Sequence, residues 1–421
     1  LRKGQSIIPA IPPIPGTEIT QPTNQDLEEI FSPKKEGWLK IGNLLRNKKI
    51  EAKINLDKIV SRHLGILAMT GMGKSNLVSL ITKKISEVKG TVIIFDYHND
   101  YTTLNIPNVN VIDAKINPRL LEADQFSEVL EIRENADVQQ RVLRMSFTQE
   151  VKEAGEFWNK LEYEVDLLVN SEDKKLKEIR TSAYRVQDII EDAQRRFDDI
   201  LDPEVGNPMD YIKEGCTNII NISELSEKQA NVAMGFYLQQ LLKDRKNATI
   251  AKHGKSKKQK DYKFFEPVFI ILEEAHVFIP KDHDTAAKYW AAKIAREGRK
   301  FGVGLAIVSQ RPRSVDLNIL SQMGSFAIMK IIQEDDQRQI ASATESTSRE
   351  LISQLTSLNV GDAVLVGQWT NLPSMVHVEE VKEKKMGADQ SATKAWIKAD
   401  KMKNVGVEST QGLVQKDLLL D

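Results

Sequence analysis

Short runs of apolar residues alternate along this chain with longer segments whose apolar positions repeat at helical spacing. The runs are at residues 64–69, 91–96, 217–222, 268–272, 301–310, 326–332 and 363–366. Runs of this length without alternating polar positions are typical of strands that are buried on both faces of a sheet. Because such strands alternate here with helices, the pattern predicts an α/β fold, namely a doubly wound parallel sheet with helices on both faces.

The residues before the first buried run have a different pattern. Residues 8–16 contain four prolines, and a segment so rich in proline forms neither a helix nor a central strand. Alternating residues at 38–42 and 52–56 predict two short strands. We interpret residues 1–50 as a linker or the edge of a small β domain. Since residue 1 is Leu rather than Met, we expect the sequence to begin inside a longer natural chain.

Residues 121–215 are almost wholly helical in pattern and predict a helical-bundle insertion between residues 51–120 and 216–382 of the core. Residues 121–214 carry 24 acidic and 13 basic side chains, a net charge of −11. Because the whole chain has a net charge of −1, the remainder carries +10. An acidic appendage on a basic core is compatible with nucleic-acid binding by the core. Acidic solvated helix faces that have no bearing on DNA are an equal alternative.

Two further segments are polar. Residues 243–263 hold nine Lys or Arg and two Asp, which predicts an exposed loop, either a solvated connection or a basic arm that contacts phosphates. Residues 383–421 are weakly patterned and are interpreted as a carboxyl-terminal tail.

A glycine-rich turn follows the run at 64–69 and leads into a helical pattern. The turn has the residues Thr70, Gly71, Met72, Gly73, Lys74, Ser75 and Asn76. In a P-loop, backbone N–H groups face an anion, the lysine reaches the β- and γ-phosphates and the serine hydroxyl binds Mg²⁺. The complete pattern has Gly where this chain has Ala68. The tripeptide Gly-Lys-Ser also arises by chance, but the strand before it and the helix after it favour a nucleotide site over a turn that binds nothing.

Polar residues at the ends of two other runs suit the same chemistry. Glu273 and Glu274 directly follow the run at 268–272. Magnesium-dependent hydrolysis needs one carboxylate near the metal and one that polarises the attacking water, and we place Glu273 near Mg²⁺, where Asp is more usual. A solvated strand end is the alternative. Gln310 ends the run at 301–310 and is a candidate sensor of the γ-phosphate.

Composition limits the setting of the protein. No apolar run approaches the ~18 residues of a membrane span, so we expect no membrane partner. Cys216 is the single cysteine, which excludes an intramolecular disulfide and indicates a reducing, cytoplasmic setting. Only one nucleotide-binding core is evident. A helicase that closes its ATP site between two cores of one chain needs a second copy, so the sequence predicts a ring in which a neighbouring subunit supplies an arginine.

The chain resembles the HerA hexameric ATPases, relatives of the FtsK DNA pumps, over residues 50–382. The resemblance is carried by the segments at residues 69–76, 95–101, 272–276 (Leu-Glu-Glu-Ala-His), 296–302 (Arg-Glu-Gly-Arg-Lys-Phe-Gly) and 309–312 (Ser-Gln-Arg-Pro). Ala68 and Asp100 depart from the usual Gly and Glu. The family implies a RecA-like P-loop core and a small amino-terminal β-barrel, of which residues 1–50 would be the surviving end.

The resemblance also implies a function and the roles of residues. It implies a homohexameric ring that uses ATP and Mg²⁺ to pump double-stranded DNA and acts with a NurA-type nuclease in end resection. Lys74 and Ser75 would bind ATP and magnesium, Glu274 would be the general base and Gln310 the sensor. Arg299 would reach into the next subunit's site, with Arg296 and Arg311 as alternatives for that role.

Two questions stay open at this point. Lys281 and Lys288, close after the acidic pair, are candidate DNA contacts on a pore-facing loop. A nucleotide-dependent switch or assembly scaffold without rapid turnover is the competing function, and Glu274 argues against it because a switch does not need a carboxylate that polarises water. A GTPase is not favoured because the sequence lacks an Asn-Lys-x-Asp motif.

Overall fold

The computed structural model describes residues 14–18, 20–133, 135–198, 200–252, 262–344 and 348–382. In this part of the chain, the strands form one 11-stranded sheet with the order β2-β1-β11-β10-β9-β3-β8-β7-β4-β6-β5. The strands from β9 to β5 in that order are parallel to one another. The four strands from β2 to β10 are antiparallel to their neighbours. The sheet is therefore parallel around its centre, as predicted, and antiparallel on one side.

The strands are β1 (Trp38–Leu44), β2 (Glu51–Asn55), β3 (Leu64–Leu67), β4 (Thr91–Asp96), β5 (Val109–Asp113), β6 (Thr217–Asn221), β7 (Val268–Leu272), β8 (Val303–Ser309), β9 (Ser325–Ile328), β10 (Asp362–Gly367) and β11 (Ser374–Val378). The helices outside the insertion are α1 (Asn24–Phe31), α2 (Leu56–Arg62), α3 (Lys74–Glu87), α10 (Glu227–Lys252), α11 (Ala275–Phe278), α12 (Ala286–Phe301), α13 (Leu317–Leu320), α14 (Glu334–Ala343) and α15 (Arg349–Ser353). The insertion contains α4 (Ala123–Val129), α5 (Asp137–Ser146), α6 (Gln149–Glu153), α7 (Phe157–Val169), α8 (Lys174–Lys177) and α9 (Arg180–Arg196).

The central strands are continuously apolar because helices cover both faces of the sheet. Successive side chains of a strand point to opposite faces. Ile93 and Ile270 accordingly lie in the core on the side of α10 and α12, whereas Val92 and Phe269 lie in the core on the side of α3. Both cores exclude water, so each of these strands needs apolar residues at every position.

The structure differs from the prediction at the antiparallel side of the sheet. β1 pairs with β11, so the core sheet takes in residues 38–44, which the sequence analysis had grouped with an amino-terminal β domain. The barrel assignment for residues 1–50 otherwise stays a prediction, since residues 1–13 lie outside the described part of the chain. The structure corrects the exposed loop predicted at 243–263, because α10 continues to Lys252 and buries Arg245 and Ala248. Residues 253–261 of that loop and the tail at 383–421 lie outside the described part of the chain.

The helical insertion leaves the sheet after β5 and returns to it at β6. Its helices pack around a cluster that includes Phe126, Phe157, Leu161 and Val186 and is continuous with the apolar core of the sheet. Arg119 fixes the base of the insertion, because its guanidinium donates to the carbonyl oxygens of Pro203 at 2.9 Å and Lys152 at 3.0 Å. The insertion thus joins the core through both packing and hydrogen bonds.

Candidate active site

The predicted site residues meet at one edge of the sheet. The carboxyl ends of parallel strands lie at the same edge, and here β3, β4, β7 and β8 are consecutive or near neighbours in the order β3-β8-β7-β4. The P-loop follows β3, the segment 97–101 follows β4, the two glutamates follow β7 and Gln310 follows β8. Residues that are distant in sequence are therefore close in space.

The P-loop has the backbone of an anion-binding turn. Gly71 and Gly73 have φ angles of 79° and 104°, in the left-handed region where glycine is favoured, and Gly73 is the N-cap of α3. The Lys74 ammonium lies 3.3 Å from the carbonyl oxygen of Ala68. Burial lowers the pKa of Lys74, while Glu274, Glu273 and Asp100 oppose this shift. The Lys74 ammonium therefore lies beside the loop and near three acids. Phosphate oxygens of a bound nucleotide would form stronger hydrogen bonds with it than the carbonyl oxygen of Ala68 does.

An acid that the sequence analysis did not select stands next to Ser75. The Ser75 hydroxyl donates to Asp100 Oδ2 at 2.8 Å. Asp100 is placed by Asp96, whose buried carboxylate accepts the backbone N–H groups of Asp100 at 2.9 Å and Tyr101 at 2.8 Å. The signal in the sequence was the Asp-x-x-x-Asp spacing at a strand end, since a short acid at the end of β4 organises the turn that follows it.

Glu273 is held by a tyrosine in a buried position. The Tyr101 hydroxyl donates a hydrogen bond to Glu273 Oε1, and Tyr101 is fully buried. Burial raises the pKa of Glu273 to about 7; the Tyr101 hydrogen bond opposes the shift and Glu274 adds to it. Near neutral pH the nucleotide-free protein therefore holds a mixture of protonated and ionised Glu273.

This pKa predicts a pH-dependent stability difference for Glu273→Gln. A carboxyl group whose pKa is raised in the folded state stabilises that state at low pH, and this contribution is lost as the pH rises through about 7. The Gln variant mimics the protonated form. The difference in thermal midpoint between the variant and the parent should therefore be more favourable to the variant at pH 8.5 than at pH 5. The corresponding change in the difference between their free energies of unfolding is about 2 kcal/mol. The control is Glu178→Gln, at an exposed position, measured without nucleotide. A midpoint difference between Glu273→Gln and the parent that does not change with pH would disprove the raised pKa of Glu273.

Glu274 is in a strained conformation between two histidines. Its backbone is left-handed, with φ 46° and ψ 45°, which costs a non-glycine residue on the order of 1–3 kcal/mol. Oε1 lies 3.5 Å from His98 Nε2, and Oε2 lies 3.1 Å from His276 Nδ1. Despite that distance, Oε2 is a buried oxygen that accepts no hydrogen bond from the described residues. A buried carboxylate oxygen with a free lone pair is suited to take a proton from water.

His276 and Gln310 connect this glutamate to the neighbouring strand. His276 Nδ1 is also 3.3 Å from the Ser309 hydroxyl at the end of β8. Burial lowers the pKa of His276, and the charge of Glu274 opposes the shift. Gln310, the next residue, accepts a hydrogen bond from the Thr70 hydroxyl in the P-loop. The structure therefore places the candidate sensor against the loop that would hold the phosphates. No sequence pattern had indicated a role for His98 or His276.

The three candidate arginines divide between the two edges of the sheet. Arg311 follows Gln310 and acts electrostatically on His276, so it lies at its own chain's site. Arg299 is exposed in the last turn of α12, and Arg296 is exposed about one turn earlier in the same helix. That helix ends at Gly302, whose carbonyl oxygen accepts the N–H of Val268 at the start of β7. Since the five residues of β7 span about 16 Å, Arg299 is too far from its own site to reach it.

The two candidate lysines also differ. Lys281 is exposed in the loop after α11. Lys288 is mostly buried, and its ammonium lies 3.1 Å from Asp284 Oδ1 and 3.3 Å from Asp316 Oδ2. The placement of Lys288 favours a role in holding the loop over contact with DNA.

Asn76, one of the predicted nucleotide contacts, has its side chain committed elsewhere. Its Nδ2 donates to the carbonyl oxygen of Glu379 at 2.9 Å, and its Oδ1 accepts the N–H of Val381 at 2.8 Å. Any contact of Asn76 with a nucleotide would therefore come from its backbone, which lies in the first turn of α3.

These residues fit ATP and Mg²⁺. Mg²⁺ keeps several waters and binds through one or two carboxylates together with substrate phosphates. The described residues contain no cluster of three acidic, His or Cys side chains that would hold a metal alone. Ser75, Asp100 and Glu273 would hold it, directly or through water, and it would neutralise charge on the phosphates.

A family model supports the assignment. The model "Helicase HerA, central domain" matches residues 39–241. A DNA double-strand break repair helicase HerA of Sulfurisphaera tokodaii is 39% identical in an alignment of 406 positions that covers 93% of this chain and 78% of the relative. The chain belongs to the HerA family. As a member of that family with a P-loop, it is an ATPase of the helicase type.

Solved structures confirm the fold. VirB4 of Thermoanaerobacter pseudethanolicus superimposes with a TM-score of 0.60 and 15% identity, over 83% of this chain and 98% of VirB4. The plasmid coupling protein TrwB, in complex with a non-hydrolysable ATP analogue, gives a TM-score of 0.53 at 12% identity over 80% of this chain and 88% of TrwB. The α/β P-loop fold predicted from the sequence is thus confirmed. In the described part of the HerA chain, no helix is long and apolar enough to cross a membrane.

Proposed function

We propose that this HerA-family chain forms a homohexameric ring that uses ATP and Mg²⁺ to translocate double-stranded DNA and acts in the repair of double-strand breaks. The relatives' name as double-strand break repair helicases supports the repair role. The exposed position of Arg299, at the edge of the sheet away from its own P-loop, supports the ring, because an arginine there can act only at a site on another molecule. The proposal includes partnership with a NurA-type nuclease in end resection, which rests on the family resemblance.

The alternative, a nucleotide-dependent switch without rapid turnover, is less well supported. Glu274 is buried and strained beside the P-loop, and its Oε2 accepts no hydrogen bond from the described residues. Strained residues persist where the surrounding structure holds them and where function uses them. A protein that only binds nucleotide has no use for such a group, so the geometry favours ATP hydrolysis.

DNA binding is tested by duplex-stimulated ATP hydrolysis and by the salt dependence of duplex affinity. We expect duplex DNA to stimulate hydrolysis and Lys281→Ala to flatten the slope of log affinity against log salt by about 0.9 per lost phosphate contact and subunit. Lys288→Ala should alter stability rather than the slope, because it breaks an internal ion pair. The matched control is Lys58→Ala, at an exposed position on α2. An unchanged slope in Lys281→Ala would remove this loop from the DNA path, and a failure of duplex DNA to bind or stimulate would reject translocation.

A further inference from the structure

The strand β5 forms one lateral edge of the sheet and has a neighbouring strand, β6, on one side only. The N–H of Ala114, directly after β5, donates to the carbonyl oxygen of Asn221 of β6. Because successive residues of a strand direct their backbone groups to opposite sides, the even-numbered residues of β5 face β6. The N–H and C=O groups of Val109, Val111 and Asp113 therefore face away from the sheet, and they form no hydrogen bond with the described residues.

This edge lacks the features that usually prevent a sheet edge from pairing with another chain. Such edges are commonly blocked by proline, by lysine or by a bulge. The sequence of β5 is Val-Asn-Val-Ile-Asp, with neither proline nor lysine, and it pairs with β6 over five consecutive positions without a register shift. Val111, at the centre of the strand, is exposed. The edge thus offers an added strand three N–H and three C=O groups beside an apolar side chain.

A cavity of about 460 Å³ adjoins this edge. Its lining includes Ile112 of β5, Tyr237 of α10 and Tyr211 in the short turn Pro208–Tyr211, and the exposed Tyr211 places the cavity at the surface. Ile112 points into the core on the side of α10, so Val111 points to the opposite face of the sheet. A strand added beside β5 would therefore direct alternate side chains toward the cavity and the others past Val111.

The cavity is lined by a polar side chain that has no partner. Tyr237 is only 1% exposed, and its ring packs edge-on against Phe95 with 5.9 Å between ring centroids. Its hydroxyl forms no hydrogen bond with the described part of the chain. Burial raises the pKa of Tyr237 and the nearby Tyr211 adds to the shift, so the hydroxyl lies on the side of Tyr211 and keeps its proton. Because a buried hydroxyl without a partner costs free energy, an acceptor atom that entered the cavity would bind there favourably.

We propose that the free edge of β5 and the adjoining cavity form a docking site for an extended segment of a partner protein. The segment adds as a further strand whose backbone pairs with Val109, Val111 and Asp113. One of its side chains enters the cavity, and the oxygen at the tip of that side chain accepts a hydrogen bond from the Tyr237 hydroxyl. An extended polypeptide fits because it presents donors and acceptors at the spacing of a strand, together with alternating side chains.

This site goes beyond the proposed function and is separate from the nucleotide site. β5 is the fifth strand from β3 in the sheet order, a distance of about 24 Å at the usual strand spacing. Because β3 leads into the P-loop, a segment bound along β5 does not occupy the place of the phosphates. Docking at this edge and ATP hydrolysis can therefore be measured independently.

The test uses random displayed peptides that are long enough to span β5, selected on the purified intact protein. The affinity of a selected peptide is then measured for the parent and for three variants. Val111→Pro removes an N–H that faces away from β6, so it should weaken binding about tenfold or more, whereas Val111→Thr keeps this N–H and should bind like the parent. Tyr237→Phe removes only the hydroxyl and should weaken binding about three- to tenfold, the scale of one hydrogen bond.

Two further measurements distinguish docking from a structural role. The thermal midpoint of peptide-free Tyr237→Phe should equal or exceed that of the parent, because the hydroxyl has no partner to lose. A clearly lower midpoint would show that the hydroxyl serves the fold, which contradicts the proposal. Methylation of the peptide's amide nitrogens, one at a time, should weaken binding at every second position, because alternate N–H groups of an added strand face β5.

The outcomes that overturn the proposal are also defined. They are a selection that yields no binding peptide, peptides that bind Val111→Pro as tightly as the parent, and methylation effects without alternation. A peptide that splits the protein into smaller assemblies, as shown by their mass, would instead assign this edge to a second copy of the chain. ATP hydrolysis by Val111→Pro at the rate of the parent confirms that the variant is folded, and if it does not fold, the methylation series on the parent protein decides.

Discussion

Replacing Glu274 with Gln is expected to leave MgATP binding intact and to reduce ATP turnover by about 10²-fold or more, the scale of a lost acid–base group. The glutamine keeps the size and the left-handed backbone of Glu274 but cannot take a proton from water. In the structure, Glu274 is the acid at the end of β7 with an oxygen that accepts no hydrogen bond from the described residues, whereas Glu273 is bound by Tyr101.

The matched comparison for this variant is Glu273→Gln. If Glu273 serves the metal, its replacement should shift the Mg²⁺ concentration needed for half-maximal hydrolysis, a change that Glu274→Gln should not produce. Hydrolysis by Glu274→Gln at the rate of the parent protein would refute the general-base role and transfer it to Glu273. Lys74→Ala serves as the reference for a loss of nucleotide binding.

Where helices cover both faces of the sheet, the strands were predictable from the sequence. β7 is apolar at each position, because its side chains enter two cores. β5 and β11 were missed for the opposite reason. β5 is an edge strand whose Val111 is 47% exposed, and β11 alternates buried and exposed residues around His377. A short strand covered on one face has too few apolar residues to stand out from a loop.

The contacts between site residues could not be predicted in the same way. The P-loop and the acidic pair each lie within a few consecutive residues, so local spacing revealed them. Asp100 reaches Ser75, and Tyr101 reaches Glu273, because β4 and β7 are neighbours in the sheet. Strand order is a property of the whole fold, and a single sequence does not state it. The hydrogen bonds of Asn76 with the backbone of Glu379 and Val381 likewise join residues that are more than 300 positions apart in the sequence.

Arg299→Ala is expected to reduce the rate of ATP hydrolysis by about 10³- to 10⁵-fold, the contribution of an arginine that stabilises the transferring phosphoryl group. The position of Arg299 determines how this effect arises. It is exposed at the edge of the sheet opposite its own P-loop, and it forms no ion pair with the described residues. An exposed arginine that only paired with a surface acid would contribute less than ~1 kcal/mol and would not affect turnover. A large effect on turnover therefore requires the site of a neighbouring subunit.

Mixing two inactive variants distinguishes action on a neighbour from action within one chain. Rings made only of Arg299→Ala or only of Glu274→Gln subunits should both be inactive. In mixed rings, some interfaces pair an intact Glu274 with the intact Arg299 of the adjacent subunit, so hydrolysis should partly return. Arg311→Ala is the comparison: Arg311 lies at its own chain's site, and if it acts there, its loss would be complemented by intact chains only and not by Glu274→Gln subunits. Normal hydrolysis by uniform Arg299→Ala rings would exclude the role altogether. If rings whose mass shows both variants recover no hydrolysis, the result counts against a trans arginine, provided that the sites of a ring can hydrolyse ATP independently. Mixing each variant with the parent protein measures that independence.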